Sequence, residues 1–344
     1  MKAARMVESG KPLEIQDIPI PSVGDEDVLV RVRAAGICHS DAHYRAGRSP
    51  MGRLPITLGH EVAGEIEWIG SQVTNVKVGD RVCLHYNISC GECHYCQRGY
   101  EQFCKTVKMI GHHIDGGYAE YIAAPARNAI PLPEEISVEE GATLMCASAT
   151  AFHALRRGRV KDGETVAVFG VGGLGMSAIQ LARALGAVEV YAVDIKHDKL
   201  EMASEYGAIP IDAGRLDAVS EIRRLTKDRG VDVALEMIGL PLTMRQTIES
   251  LGMLGRAVIV GLGQAPLEVH PYQTLIGQEA EIIGSNDHLL EELPVLIDLA
   301  RRKVLDTSRV VSQTLPLDAD RINGRLDDLE QYTSDIRAVI VQPD

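Results

Sequence analysis

The sequence predicts two domains of different construction: a β-rich, barrel-like domain and an α/β domain with a doubly wound parallel sheet. Three observations carry that prediction. The chain has 344 residues, which makes about two domains at roughly 150 residues each. Short strand patterns crowd its first part, and strands alternating with helical segments follow them. Hydrophobic residues make up 45% of the chain but aromatic residues only 4%, so Val, Ile, Leu and Ala must build the core, as in layered α/β proteins.

The β-rich domain reads as strands over residues 14–20, 26–36, 64–70, 80–86 and 118–125. Each alternates in polarity or carries β-branched residues between Gly and Pro punctuation. No sustained helical stripe interrupts them, which argues for a twisted, barrel-like arrangement. The rhythm changes at the apolar run 165–169, which leads into a glycine cluster and a helix from Leu174 to Leu185. Strands over 188–193, 208–211, 231–237 and 256–262 then alternate with helices over 197–206, 217–227 and 243–251. A strand at 280–285 and a helix over 289–302 come next. The tail has a strand at 311–317, a helix and a strand at 337–342. Boundaries are expected near 149 and 290: residues 149–289 form the α/β domain, and 290–344 rejoin 1–148.

Charge removes several classes of function. With 48 acidic against 35 basic residues the net charge is -13, which disfavours nucleic acid and anionic membrane as partners. Glu8 and Lys11 stand where a secretory signal needs an apolar stretch, so a cytoplasmic location is expected. Residues 165–182 are uncharged, but Gly170, Gly172, Gly173 and Gly175 break them in the middle. A strand, tight turn and helix explain that stretch better than a membrane span.

Gly170, Gly172 and Gly175 fit G-x-G-x-x-G between a strand and a helix, with Gly173 and Leu174 inside the turn. Such a turn brings the backbone close to a pyrophosphate and offers it the unpaired N–H groups of the helix N-terminus. Asp194 ends the next strand, 24 residues after Gly170. A carboxylate there accepts both adenosine ribose hydroxyls and repels a 2′-phosphate, which points to NAD over NADP. The plainer reading makes Asp194 a cap of the following helix, and Lys196 and Lys199 lie close by.

The chain has seven cysteines. Cys90, Cys93, Cys96 and Cys104 follow the spacing C-x2-C-x2-C-x7-C, and four thiolates so close can wrap one tetrahedral zinc. An iron–sulfur centre also takes four thiolates, but the polar loop around Glu92, His94, Gln97 and Arg98 reads as a structural clamp. Cys38, His60 and Cys146 are dispersed. Together they make the donor set of a zinc with one open position, a reading that sequence distance alone leaves weak. Cys83 has no partner motif and reads as a small core residue.

Over nearly its full length the chain resembles the zinc-dependent medium-chain alcohol dehydrogenase family. The run Gly59-His60-Glu61-x2-Gly64-x5-Gly70-x2-Val73 resembles that family's zinc signature. The order of Cys38, His60, the four-cysteine loop, Cys146 and the glycine turn agrees too. The resemblance implies a GroES-like β domain interrupted by a Rossmann domain, with NAD and two zinc ions per subunit. Cys38, His60 and Cys146 match the catalytic zinc ligands, and Glu61 the acid beside them. Asp41 matches the carboxylate that orients His60, and Ser40 and His43 match a proton relay. Thr150 matches a residue packed on the nicotinamide. His39 and Arg337 fall where relatives touch the pyrophosphate, and Lys199 near the adenosine ribose.

The implied reaction is reversible hydride transfer between an alcohol and NAD, giving an aldehyde or ketone. Cys146 argues against the sorbitol branch, where the resemblance leads to a glutamate ligand in that neighbourhood. Met51, Leu54 and Tyr86 are available to line an apolar pocket, so an uncharged primary or secondary alcohol is the expected substrate. The alternatives are a polyol or amino-alcohol dehydrogenase of sorbitol or threonine type, and a catalytically silent, zinc-bound structural protein. The family resemblance also implies a homo-oligomer, a tetramer in preference to a dimer.

Overall fold

In the computed structural model, which describes residues 1–263, 265–331 and 337–343, the strand Asp27–Ile37 is the spine of the β-rich unit. It is buried along nearly all of its eleven residues. Glu61–Ile69, Tyr121–Pro125 and Arg337–Val341 all pair with it antiparallel. The sheet runs Ala129–Pro131, Arg81–Leu84, Glu61–Ile69, Asp27–Ile37, Arg337–Val341, Val311–Leu315. Register shifts at Leu29/Val30 and Val32/Ala34 are bulges, which bend a long strand and sharpen its twist. In that sheet Val311–Leu315 pairs parallel with Arg337–Val341; a separate, antiparallel sheet joins Glu14–Asp17, Lys2–Met6 and Ile56–Thr57. Val28, Val30, Val32, Ile56, Leu58, Val62, Leu84, Ile110, Tyr118 and Ile340 fill the core of this unit. Each fully buried aliphatic side chain there contributes about 1.5–3 kcal/mol.

The chain divides into two compact units, Met1–Cys146 with Leu289–Asp344, and Ala147–His288. The last strand explains the return: Ala338 pairs with Ile37 and Ile340 with Ala35, so the C-terminus completes a sheet begun at the N-terminus. Glu101, in the four-cysteine loop, accepts a hydrogen bond from the Leu290 backbone at 2.5 Å, which pins the returning segment at its start.

The second unit holds a six-stranded parallel sheet in the order Ile209–Asp212, Glu189–Asp194, Thr165–Phe169, Val231–Glu236, Leu251–Ile259, Glu281–Gly284. Thr165–Phe169 is wholly buried, which is why it reads as an unpunctuated apolar run. Numbered along the chain, the order is 3-2-1-4-5-6, the doubly wound arrangement. Its crevice opens where the order reverses, at the carboxyl ends of Thr165–Phe169 and Val231–Glu236. The expected helix at 243–251 starts earlier, as Pro241–Glu249, because proline fits the first turn of a helix.

The β-rich unit also contains short helices that pattern analysis passes over. His39–Arg45 has seven residues and Val138–Thr143 six, too few for a helical stripe to emerge. A π-helical turn, Leu144–Ser148, follows the second. Among the described residues no helix is long and apolar enough to cross a membrane.

Candidate active site

Strand register assembles the site. Ala338 pairs with Ile37 and Gly36 with Glu61, so Arg337, Cys38, His60 and Glu61 converge at one end of the sheet. The π-helical turn brings in Cys146, and single π-turns of this kind are frequent at functional sites. The ligand atoms of Cys38, His60, Glu61 and Cys146 all lie within 4.8 Å of one another, and all four residues are buried. The Cys38 and Cys146 sulfurs are 3.9 Å apart.

Asp41 holds this set together. Cys38 is the N-cap of His39–Arg45, and its backbone N–H donates to Asp41 Oδ2 at 2.9 Å. The Tyr118 hydroxyl donates to the same oxygen at 2.9 Å, and His60 Nδ1 lies 3.2 Å from Asp41 Oδ1. A carboxylate only accepts, so His60 carries its proton on Nδ1 and keeps Nε2 free for a metal. Burial alone would lower the His60 pKa, but the Asp41 carboxylate and the Cys38 sulfur together hold the imidazole well above its ordinary value, so a metal binding at Nε2 displaces a proton there. Cys38 sits well below the usual thiol range because it accepts a hydrogen bond from Cys146, whose own pKa rises for the same reason.

Behind the ligands, Arg337 forms a buried ion pair with Glu61. Burial pushes the Glu61 carboxyl up to about 8, against the pull of Arg337. Glu61 Oε2 and Arg337 Nε have no hydrogen-bond partner among the described residues. The Arg337 guanidinium is turned to Glu61, a partner that the resemblance did not name. Gly36 makes the room: a Cβ there would stand 2.0 Å from Glu61 Oε2. Gly36→Ala is therefore expected to cost about 1–3 kcal/mol of stability and to weaken zinc retention, measured by thermal unfolding and metal analysis.

Two thiolates and an imidazole at these separations fit zinc and leave one position open. Beside them, the Ser40 hydroxyl lies 3.8 Å from the Cys38 sulfur. Ser40 and His43 are three residues apart on one helix and share a face. His43 Nδ1 lies 3.3 Å from the Arg48 guanidinium, which only donates, so the neutral ring carries its proton on Nε2. Burial lowers the pKa of both His43 and His39, whose rings are 4.6 Å apart. Tyr86 is buried and sets its ring edge-on to His60 at 5.1 Å. Met51 packs partly buried on the core. Leu54 stands 42% exposed. Cys83 lies in the core with its thiol pushed up to about 12 by burial.

The second cluster joins Cys90, Cys93, Cys96 and Cys104. The Cys104–Cys90 sulfur distance is 3.6 Å, Cys93–Cys96 3.5 Å and Cys90–Cys96 3.9 Å. The Cys90 backbone N–H points at Cys104 Sγ and that of Cys93 at Cys90 Sγ. Burial opposes ionisation of Cys104, but hydrogen bonds led by the Cys90 N–H bring its pKa down to about 6. All seven cysteines are free thiols. Four converging sulfurs with backbone donors fit a closed structural zinc.

In the second unit the glycine turn fits a dinucleotide. An added Cβ at Gly175 would lie 2.0 Å from the Gly170 carbonyl, so only glycine lets the helix Gly173–Ala184 pack this close to the turn. Gly172, its N-cap, faces open space, where a phosphate can meet the helix N-terminus. Asp194 accepts hydrogen bonds from the backbones of Val171, Ile195 and Lys196, which fixes its carboxylate at the strand end beside the turn. Lys199 is half-buried on the helix His197–Glu205, and Thr150 is half-buried on Ala149–Arg157. Tyr118 and Gly36 were not singled out from the sequence: no spacing rule ties either to the ligands, and register alone brings them there.

Comparison with known proteins agrees. Residues 24–134 match the family described as alcohol dehydrogenase GroES-like domain, and residues 173–302 the one described as zinc-binding dehydrogenase. The chain is 36% identical to an NAD-dependent alcohol dehydrogenase of Sulfurisphaera tokodaii, over 99% of this chain and 100% of the relative. It is 33% identical to a sorbitol dehydrogenase of Bacillus subtilis, over 100% and 97%. Among solved structures, the alcohol dehydrogenase of Aeropyrum pernix superposes with a TM-score of 0.90 at 37% identity, covering 99% of this chain and 100% of that one. Relatedness at this level over the whole length shows the family: this chain belongs to the zinc-dependent medium-chain dehydrogenase/reductases, as an oxidoreductase of the alcohol dehydrogenase type that works with zinc and NAD.

Proposed function

We propose that the enzyme interconverts uncharged primary or secondary alcohols with their aldehydes or ketones. The observation that carries this reading is the Cys38, His60 and Cys146 donor set with the Ser40 hydroxyl 3.8 Å from its first sulfur. Zinc bound there supplies Lewis acidity that lets an alcohol lose its proton near neutral pH, and NAD supplies the hydride acceptor. Cys38, His60 and Cys146 would hold the metal, while Asp41 keeps His60 in the tautomer that can ligate. The glycine turn and Asp194 would hold the dinucleotide, with Thr150 against the nicotinamide, His39 toward the pyrophosphate and Lys199 near the ribose. Ser40 Oγ would take the alcohol proton as it gives up its own hydroxyl proton toward His43, on the same helix face, and the His43 ring would release one to solvent. Tyr86 and Met51 supply apolar surface to an uncharged substrate.

Removing the relay hydroxyl tests this assignment. Ser40→Ala is expected to lower kcat by about 10²–10⁴-fold, the range for a positioned acid–base group, with both zinc ions retained. Loss of zinc together with activity would instead make Ser40 part of the metal site.

The substrate class is tested by following reduced nicotinamide formation across short, branched, cyclic and benzylic alcohols, sorbitol and threonine, with NAD and with NADP. Turnover of the simple alcohols with NAD is expected. Activity confined to sorbitol or threonine would overturn the reading in favour of a polyol or amino-alcohol dehydrogenase, the reading that the Bacillus subtilis relative's name favours. The same reading has the chain acting as a homotetramer. Exposed apolar side chains in the second unit, among them Met253, Leu254, Leu262, Tyr272 and Ile276, support self-association, which sedimentation checks.

A further inference from the structure

Glu236 is the last residue of Val231–Glu236, the strand that flanks the reversal of the parallel sheet. It is fully buried, where a carboxylate survives only if its oxygens are satisfied. Its partners are neutral. Oε1 accepts from the backbones of Ile238 at 3.1 Å and Gly239 at 2.9 Å and from the Thr243 hydroxyl at 2.6 Å. Oε2 accepts from Gly239 at 3.1 Å. The Glu236 carbonyl takes the backbones of Val260 and Gly261 at 3.0 and 3.1 Å. One residue thus ties together the segments that leave two neighbouring strands.

Those segments border the glycine turn. The Met237 backbone donates to the Phe169 carbonyl at 2.9 Å, and a Cβ at Gly170 would meet Ile238 Cγ1 at 2.5 Å. An apolar side chain at 236 would pack as well but would leave the N–H groups of Ile238 and Gly239 unheld. The carboxylate is therefore a device for fixing backbone at the sheet reversal, where ligands of doubly wound sheets bind.

We propose that Glu236 is a positioning residue for the dinucleotide: its carboxylate holds Ile238 and Gly239 against the glycine turn and so shapes one wall of the cofactor crevice. The inference rests on NAD binding at that turn. Glu236→Gln keeps the size but has one acceptor oxygen and turns an N–H donor toward another. By calorimetric titration of the zinc-loaded enzyme, its NAD dissociation constant is expected to rise about tenfold or more, as loss of hydrogen bonds to a charged group implies. KM for NAD should rise with it, while kcat at saturating NAD does not fall and KM for the alcohol stays put.

A merely structural role would lower the unfolding temperature and leave the NAD dissociation constant unmoved in the folded fraction. That result overturns the proposal, as does a loss of kcat at unchanged KM for NAD. Thr243→Val, which removes one donor and keeps the carboxylate, should shift NAD affinity in the same direction by less. If Glu236→Gln does not fold, unchanged NAD affinity in Thr243→Val overturns it. Wild-type enzyme that fails to bind NAD would sink the cofactor reading itself, a result distinct from either variant's.

Discussion

Cys38→Ser is expected to abolish turnover and to lower the metal content from two zinc ions per chain to one. A serine hydroxyl replaces a sulfur that already lies well below the usual thiol pKa, so the metal loses its most readily ionised donor. Lewis-acid assistance is worth several kcal/mol, and at about 1.4 kcal/mol per tenfold its loss corresponds to about a thousandfold or more in rate. The four-cysteine cluster is a separate set of donors, so its zinc should stay. Metal analysis beside the rate of NAD reduction checks both halves. A folded variant with one zinc and wild-type turnover would end the assignment of Cys38.

Arg337→Leu should be strongly destabilising to the β-rich unit. Its guanidinium is the cation paired with Glu61, and both groups are buried. Removing one partner of a buried pair costs up to about 3–5 kcal/mol when the other stays charged, and burial, which already pushes the Glu61 carboxyl up to about 8, lets it take up a proton and soften that loss. The double variant Glu61→Gln with Arg337→Leu should recover a large part of that loss, because no isolated charge remains. Thermal unfolding of the two single variants and the double variant measures the coupling. Additive losses would mean that the pair contributes nothing as a pair.

What was legible in the sequence follows from range. Cys90, Cys93, Cys96 and Cys104 lie in one short loop, so spacing alone was enough to bring them together. The placing of the glycine turn between strand and helix, and of Asp194 at the next strand end, was legible for the same reason, since both belong to one βαβ unit. Cys38, His60 and Cys146 came together through the family resemblance, because no local pattern links residues so far apart. The rest depends on register. Tyr118 reaches Asp41, Gly36 makes room for Glu61, and Arg337 stands opposite the first ligand only once three strands are paired. Arg337 shows the difference well: its ion pair with Glu61 follows only from the pairing of Ala338 with Ile37, which no local pattern announces. Glu236 carries no motif, and its role appears only when the ends of neighbouring strands are seen side by side.

The central claim is that zinc at Cys38, His60 and Cys146 carries NAD-linked alcohol oxidation. Its most direct test is to withdraw zinc stepwise with a chelator and to measure zinc content and NAD reduction by a simple alcohol in the same samples. With the closed four-cysteine site holding its ion longer, the account predicts that turnover falls in proportion to the first equivalent lost and returns when zinc is restored. Turnover that persists undiminished after that equivalent is gone would contradict it.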